Sequence, residues 1–404
     1  MGSCRRDDVQ DRRYPRRTRK PREFPDMITY QAICGDSVDS EPLTLEEALN
    51  GKNGQKWREA MKSELDSSYK NSALTLTELP KGQNTVDSKC VFKVKKDAEG
   101  NVTHFKARLV ARGFSQKQGI DYKDTFSPVI RYSTLKTLIA LAVELDLKIE
   151  HMDVKTAFLN GDLKETIYMS QPKGFIKENE GHLVCKLSKA IYDLKQASRM
   201  WYDKITTTLI GLGFKKLKSE PCVFIRKIDQ SLIIIALYVD DLLIFSNNEE
   251  KLKIKKELML RFEMQDLGKA KSILGMRIIQ EKDMITLDQS KYIENVLDKF
   301  NMGNCKPVDT PLEVNKKWLE SKQKEIVCDE RLPYQNLIGY LMYLAVCSRP
   351  DIMHAISVLS QYPVSTRDPL DISSVHTWNI HFRISLVIFN VHQKKIFFSI
   401  AILL

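Results

Sequence analysis

The sequence predicts an α+β fold, and three observations support that class. Stretches with helical periodicity and stretches with strand-like alternation both occur along the chain. They follow one another without the regular strand–helix alternation of a doubly wound sheet. An apolar share of 43% among 404 residues is enough for a sizeable core and excludes global disorder.

The first ordered part of the chain is predicted to contain a helix, a hairpin and a second helix. A capping-box pattern begins at Thr44, and apolar residues then recur at helical spacing up to about Tyr69. Residues 89–95 and 103–110 alternate between apolar and polar residues, which is typical of a β-hairpin. Residues 135–143 carry the apolar stripe of an amphipathic helix.

The rest of the chain continues to mix the two kinds of element. A strand over 148–154 leads to a turn at Asn160-Gly161, because Asn-Gly is a strong turn signal. The further elements predicted in chain order are a helix over 199–212, a strand over 231–239, a strand over 242–245, helices over 250–263 and around 293–300, and a helix start at Ser348–Asp351.

Two adjacent aspartates, Asp240 and Asp241, separate the two apolar strands in the middle of the chain. The local pattern predicts a tight hairpin with both carboxylates at its tip. Asp-Asp is a poor choice for such a turn, because positive φ favours Asn or Gly and because like charges repel. A solvated acidic turn is one interpretation. The other is a site for divalent cations, since carboxylate oxygens are hard ligands that suit Mg²⁺.

A third carboxylate, Asp153, favours the metal interpretation. It ends the predicted strand over 148–154, and a neighbouring strand could bring it to the Asp pair. Three carboxylates can hold two metal ions that activate an attacking oxygen and stabilise a leaving one. Phosphoryl and nucleotidyl transfer depend mainly on this positioning and on charge neutralisation.

The chain resembles the reverse transcriptases of copia-type LTR retrotransposons. The resemblance covers about residues 57–362 and consists of ten blocks in the family's order. These are Trp57–Met61, Lys106–Ala111, Gly119–Tyr122, Thr125–Pro128, Met152–Gly161, Ile167–Pro172, Leu194–Arg199, Tyr238–Asp241, Asp266–Gly268 and Ser348–Asp351.

The resemblance implies a right-hand polymerase with fingers, palm and thumb and a ferredoxin-like palm sheet. The corresponding boundaries are a disordered basic arm over 1–42, fingers over 43–140, a palm over 141–284 with a fingers excursion over about 162–198, thumb and connection-like helices over 285–362, and a degenerate tail over 363–404.

The resemblance also implies roles for individual residues. Asp153, Asp240 and Asp241 would be catalytic metal ligands for two Mg²⁺ ions, with Mn²⁺ as a substitute, and the main-chain carbonyl of Val154 would face a metal. Tyr238 belongs to the same motif as the Asp pair and would contact the nucleotide or template. Gln196 would border the template and nucleotide pocket.

Three more residues would contact the incoming deoxynucleoside triphosphate, and each has a structural alternative. Lys106 and Arg108 match a block that holds the triphosphate, since Arg binds phosphate in a bidentate manner and Lys acts as a point charge. Which of the two contacts the nucleotide stays open, and either could be a solvated strand residue. Phe158 would exclude a 2′-hydroxyl and so select deoxynucleotides, or it is a core residue.

Other features are compatible with a catalytically silent remnant. Asp193 stands where the family has Gly, a residue that adopts positive φ without strain. Beyond residue 362 the resemblance stops, and no ribonuclease H, integrase or protease segment is recognised. The two hypotheses are therefore an RNA-directed DNA polymerase and a remnant that at most binds nucleic acid.

Charge and cysteine usage bear on partners and compartment. The net charge is +11, of which residues 1–22 supply +6, so a template–primer of RNA or DNA is compatible but not proved. The arm could be a solvated tail or could bind phosphate, and Arg16–Lys20 suits nuclear entry. Four lysines of the helix predicted over 250–263 suit a solvated helix face or contact with a nucleic-acid backbone. They are Lys251, Lys253, Lys255 and Lys256.

The scattered cysteines and the absence of a signal peptide and of a membrane-spanning run predict an intracellular protein, cytoplasmic or nuclear and not secreted. Oligomeric state is not predicted.

Overall fold

The computed structural model describes residues 41–96, 102–176, 179–281, 283–300, 302–304, 311 and 334–361. The basic arm over 1–42 and the tail over 363–404 therefore lie almost wholly outside the described residues. No helix in the described part of the chain has the length and apolar character needed to cross a membrane.

The predicted capping box is confirmed at the start of the described chain. Thr44 Oγ1 accepts a hydrogen bond from the backbone N–H of Glu47, and the Glu47 carboxylate accepts one from the backbone N–H of Thr44. Helix α1 (Leu45–Asn50) then ends, and α2 (Gly54–Lys70) begins after a short break. Gly54 is required at that junction, because a Cβ there would lie 2.3 Å from the Leu49 carbonyl oxygen.

A β-hairpin and a small sheet follow the first helices. The hairpin of β3 and β4 is confirmed, with Lys93 opposite Lys106 in its antiparallel register. The small sheet has the strand order β1-β7-β6-β2, which the sequence did not predict. The elements of this part are β1 (Leu74–Thr77), β2 (Thr85–Val86), β3 (Ser88–Lys96), β4 (Val102–Ala111), α3 (Tyr132–Glu144), β5 (Ile149–Val154), β6 (Asp162–Met169) and β7 (Val184–Lys189).

A six-stranded antiparallel sheet forms the centre of the described part of the chain. Its strands lie in the order β12-β5-β11-β10-β9-β8. Besides β5, they are β8 (Lys215–Lys216), β9 (Val223–Ile228), β10 (Ser231–Tyr238), β11 (Asp241–Phe245) and β12 (Met264–Lys269). The helices of this part of the chain are α4 (Ala197–Gly211) and α5 (Glu250–Arg261). Along the chain β5, α4, β10, β11, α5 and β12 form a β-α-β-β-α-β unit.

The central strands are buried on both faces, which explains their nearly continuous apolar sequence. All five residues of β10 from Ile233 to Leu237 are buried. Trp201, Ile205 and Leu209 of α4 belong to the same core cluster. Burying a large aliphatic side chain of this kind contributes roughly 1.5–3 kcal/mol, so this core fixes the register of the sheet firmly.

The last described elements are a three-stranded antiparallel sheet, with the order β13-β14-β15, and three helices. They are β13 (Ser272–Ile273), β14 (Met276–Gln280), β15 (Ile285–Asp288), α6 (Ser290–Lys299), α7 (Tyr334–Cys347) and α8 (Met353–Leu359). The predicted helix start is confirmed, since Pro350 opens a 3-10 turn that leads into α8. Arg349 is buried and donates two hydrogen bonds to Asp351 at 2.7 and 2.8 Å.

Candidate active site

The central sheet brings the three predicted aspartates to one end of two neighbouring strands. Asp153 of β5 lies directly opposite Asp241, the first residue of β11, in the antiparallel register. Asp240 precedes Asp241 in the turn from β10. Side chains of paired residues point to the same face of a sheet, so the carboxylates of Asp153 and Asp241 share one face.

The turn itself differs from the predicted one. Tyr238 pairs with Asp241, so the two turn residues are Val239 and Asp240, and only Asp240 of the two carboxylates lies at the tip. Val239 takes the positive φ, at 54°. A β-branched residue in that region is a true outlier, and such strain costs on the order of 1–3 kcal/mol.

Two hydrogen bonds hold the backbone of this turn. The backbone N–H of Val154 donates to the carbonyl oxygen of Asp240 at 2.9 Å. The indole Nε1–H of Trp201 donates to the carbonyl oxygen of Val239 at 2.6 Å. The first of these contacts ties the turn to β5, and the second ties it to α4.

His151 contacts Asp241, although its sequence pattern alone did not mark it as a site residue. Its Nε2 lies 2.7 Å from Oδ1 of Asp241, and the residue is 8% exposed. His151 and Asp153 are two positions apart on β5 and so face the same side of the sheet. That alternation was the available signal, but it becomes useful only when β11 is known to pair with β5.

Burial and electrostatic repulsion both disfavour negative charge at the carboxyl groups of Asp153 and Asp240. Burial raises the pKa of Asp153, and the charge of Asp241 raises it further, against the opposing effects of His151, Lys106 and Lys155. The pKa of Asp240 is raised first by burial and then by Asp241 and Asp153. Asp240 is exposed at the tip, yet the surrounding protein still desolvates part of its carboxyl group.

The chemistry of these donors suits a divalent cation. The pKa values of two carboxyl groups are raised, so a nearby positive charge would stabilise the ionised form of each. Their oxygens are the ligands that Mg²⁺ prefers. Among the described residues, however, no three His, Cys, Asp or Glu side chains are grouped closely enough to hold a metal ion as they stand. Because His151 occupies one oxygen of Asp241, a bound ion would have to use the remaining oxygens. The metal ligand set, including the Val154 carbonyl, stays a prediction.

Lys106 and Arg108 lie on β4 and alternate with buried residues, as predicted. Ala107 and Leu109 are 3% and 4% exposed, and the two basic residues are partly buried on the other face. Burial and then the neighbouring Arg108 lower the pKa of Lys106, whereas Glu64 and Asp153 act in the opposite direction. Lys106 is therefore within electrostatic reach of the aspartate group.

Arg108 joins an aromatic stack that includes Phe158. Its guanidinium lies 5.4 Å from the ring centroid of Tyr192, and that ring meets Phe158 edge-on at 5.0 Å. Phe158 is partly buried and packs against two core clusters. The buried Nε of Arg108 has no hydrogen-bond acceptor among the described residues. The stack thus connects the basic strand β4 to the segment that follows Asp153.

Gln196 is buried rather than open to solvent. It is 1% exposed, and its Nε2 donates to the backbone carbonyl of Asp121 at 2.8 Å. Its Oε1 accepts from Gln116 Nε2 at 3.2 Å. These contacts fasten the start of α4 to the 116–121 segment. Tyr238, in contrast, is partly buried beside the turn.

The interpretation of the α5 lysines as a solvated or nucleic-acid-binding face is wrong for Lys251 and Lys255. Their side chains are 7% and 5% exposed, and both contact the carboxylate of Glu150 on β5. Lys255 also lies 2.8 Å from Asp266. The solvated face is confirmed for Lys253, with a side chain 76% exposed, and for Lys256, which is also exposed. The network fastens α5 to the central sheet.

Comparison with known proteins places this site within a matched segment. A family model described as reverse transcriptase (RNA-dependent DNA polymerase) matches residues 71–314, which include all three aspartates. The chain is 43% identical over 362 residues to the retrovirus-related Pol polyprotein from transposon TNT 1-94 of Nicotiana tabacum, covering 88% of this chain and 26% of the relative.

More distant relatives give the same result. Identity is 36% over 335 residues to the retrovirus-related Pol polyprotein from transposon RE1 of Arabidopsis thaliana, covering 82% of this chain and 22% of the relative. It is 27% over 302 residues to the transposon Ty1-GR3 Gag-Pol polyprotein of Saccharomyces cerevisiae, covering 69% and 16%. The chain spans about a quarter or less of the length of these relatives.

Proposed function

Because the chain belongs to the reverse transcriptase (RNA-dependent DNA polymerase) family, we propose that it is the RNA-directed DNA polymerase of a copia-type retrotransposon. Its substrates would be deoxynucleoside triphosphates and a primer annealed to an RNA or DNA template. The observation that carries the proposal is the register of β5 and β11, which sets Asp153 opposite Asp241 with Asp240 in the adjoining turn.

The topology supports the finer assignment of a polymerase palm. In the β-α-β-β-α-β unit the four strands lie in the spatial order fourth, first, third, second, which is the order of a ferredoxin-like sheet. The segments before β5 and after β12 would then be fingers and thumb. The site lies where the first strand ends and the hairpin of the second and third strands turns.

The reaction joins the primer 3′-hydroxyl to the α-phosphate of the nucleotide and releases pyrophosphate. Two Mg²⁺ ions, when bound to Asp153, Asp240 and Asp241, would supply charge neutralisation at the attacking and leaving oxygens. The protein itself orients the carboxylates through the sheet register, the turn contacts and His151.

The nucleotide would be held from the β4 side of the site. Lys106 acts electrostatically on Asp153 and Arg108 acts on Asp240, and the unsatisfied Nε of Arg108 suits a phosphate acceptor. Phe158, fixed against Tyr192, would lie beneath the sugar and exclude a 2′-hydroxyl. Gln196 would border the pocket mainly by fixing the 116–121 segment, and Tyr238, beside the turn, would contact the nucleotide or template.

The proposal is tested by primer extension on an RNA template with the full chain. We expect Mg²⁺-dependent, template-directed products, and duplex binding that weakens steeply with salt because phosphate contacts release counterions. Salt-sensitive binding without any extension would instead support the silent remnant. Intracellular localisation would follow from the proposed function and is tested by imaging a tagged chain.

A further inference from the structure

Trp201 lies on α4, outside the group of aspartates, and its indole reaches the turn between β10 and β11. The residue is 1% exposed, and its ring meets Phe262 edge-on at 5.3 Å. Its Nε1–H donates to the carbonyl oxygen of Val239 at 2.6 Å. The indole is therefore held firmly by packing and points its one donor at the turn.

The carbonyl of Val239 belongs to the same peptide unit as the N–H of Asp240. Since a peptide unit is planar and rigid, fixing that carbonyl also fixes the backbone nitrogen and Cα of Asp240. The peptide unit on the other side of Asp240 is fixed as well, because its carbonyl accepts from the Val154 N–H at 2.9 Å. Asp240 is thus held on both sides, by α4 before it and by β5 after it.

The backbone of Val239 is expected to change conformation if the hydrogen bond from Trp201 is lost. Its φ of 54° is strained for a β-branched residue, and surroundings must maintain such a conformation. A cavity of about 400 Å³ adjoins the same contact, lined by Trp201, Val239 and the 125–129 segment among others. Packing therefore supports the turn over only part of its surface, and the hydrogen bond from Trp201 adds support on the α4 side.

We propose that Trp201 is a positioning residue that holds the catalytic turn, and with it Asp240, through the carbonyl of Val239. The expected effect of Trp201 on the rate of nucleotide incorporation rests on the proposed polymerase function. The structural part of the inference, the retention of the strained turn, is independent of that function. The residue acts without touching substrate or metal, so it is separate from the aspartates and the basic residues of β4.

Trp201→Phe in the full chain is the decisive variant, because Phe keeps the ring against Phe262 and removes only the N–H donor. The matched control is Trp57→Phe, since Trp57 is also buried and packs edge-on against Phe92 and Phe105 at 5.2 and 4.7 Å in a different core cluster. The two variants are compared by thermal melting, by hydrogen–deuterium exchange and by single-nucleotide incorporation.

For Trp201→Phe we expect faster exchange in the peptide covering residues 238–242 and at the Val154 amide, weaker Mn²⁺ binding by calorimetry, and kcat lowered about five- to tenfold with little change in the nucleotide KM. Val239→Gly should reduce the effect of Trp201→Phe, because Gly adopts positive φ without strain. Equal exchange and kcat for the Trp201 and Trp57 variants would overturn the proposal. If the wild type extends no primer, the polymerase function fails, and the exchange measurement alone still decides whether Trp201 holds the turn.

Discussion

His151 donates from Nε2 to Oδ1 of Asp241 across the pair of strands β5 and β11, at 2.7 Å. The contact is partly buried, and it fixes one carboxylate oxygen on the face that also carries Asp153. Asp241 thus has a defined orientation before any ligand arrives.

His151→Ala is expected to lower the incorporation rate about tenfold, because Asp241 loses the donor that orients it. His151→Gln retains a side-chain donor and should lose less. Rapid-quench incorporation and Mn²⁺ titration of both variants check this. Equal losses in the two variants would mean that the hydrogen bond does not act on the rate.

Asp153→Asn is expected to stabilise the protein when no divalent cation is present. Burial and the charge of Asp241 disfavour the ionised carboxyl group, so its removal should raise the free energy of unfolding by about 0.5 kcal/mol after solvent screening. Urea unfolding in the presence of a chelator measures the difference. Added Mg²⁺ should stabilise the wild type and not the variant, because only a folded protein that binds the ion gains free energy of unfolding from it, and the variant lacks the Asp153 carboxylate. A variant that unfolds more easily than the wild type under chelation contradicts this prediction.

Glu150→Gln is expected to destabilise the fold by about 3 kcal/mol, because it leaves the buried ammonium groups of Lys251 and Lys255 without their shared carboxylate. Glu250→Gln is the matched control, since its partner Lys253 is largely exposed and the pair contributes about 0.5 kcal/mol or less. Similar losses in the two variants, measured by chemical denaturation, would rule out an important role for the buried network.

The same network gives the pH dependence of stability a definite sign. Although burial alone would raise the pKa of Glu150, Lys251 and Lys255 lower it, and the pKa of Asp266 is lowered in the same way by Lys255. The contribution of these two acids to the free energy of unfolding is therefore complete at pH values above their unfolded-state pKa. It is lost as the pH falls through their folded-state pKa values. The pKa of Lys255 is raised despite its burial, so its contribution is lost only at alkaline pH. Denaturation curves of Glu150→Gln should show a weaker loss of stability in acid than the wild type.

Phe158→Ala is expected to admit ribonucleotides. The ring is fixed by its edge-on contact with Tyr192, which makes it a rigid obstacle if it lies under the sugar. The ratio of kcat/KM for deoxy- and ribonucleotides should fall by at least about tenfold. Unchanged sugar selectivity together with a lower melting temperature would assign Phe158 to the core alone.

The sequence predicted the main hairpins, because strict alternation and long apolar runs determine these elements locally. The approach of Asp153 to the aspartate pair was expected from the metal interpretation and the resemblance, and the pairing of β5 with β11 confirms it. Asp193 also adopts the positive φ, 71°, that the resemblance to a Gly position implied. The turn was predicted incorrectly, since local preferences place Asp or Gly and not Val at positive φ. The surrounding protein, through Trp201 and Val154, overrides that preference.

Long-range pairing accounts for what the sequence could not predict. Lysines spaced along a helix suggest a solvated face, and nothing near them in the chain reveals that Glu150 on a distant strand is their partner. His151 was missed for the same reason. The two-residue strand β2 is too short to leave a periodic signal, so the small sheet was not foreseen.

The central claim, that the aspartates form a metal-dependent polymerase centre, is tested most directly by single-turnover nucleotide incorporation on an RNA template. Asp240→Asn is compared with Asp162→Asn, whose carboxylate is exposed and paired with Lys189 and Lys204 on the surface. We predict that Asp240→Asn lowers the rate by about a thousandfold or more while duplex binding persists, and that Asp162→Asn stays within about twofold of the wild type. An Asp240→Asn chain that incorporates nucleotides as fast as the Asp162→Asn chain would contradict the assignment.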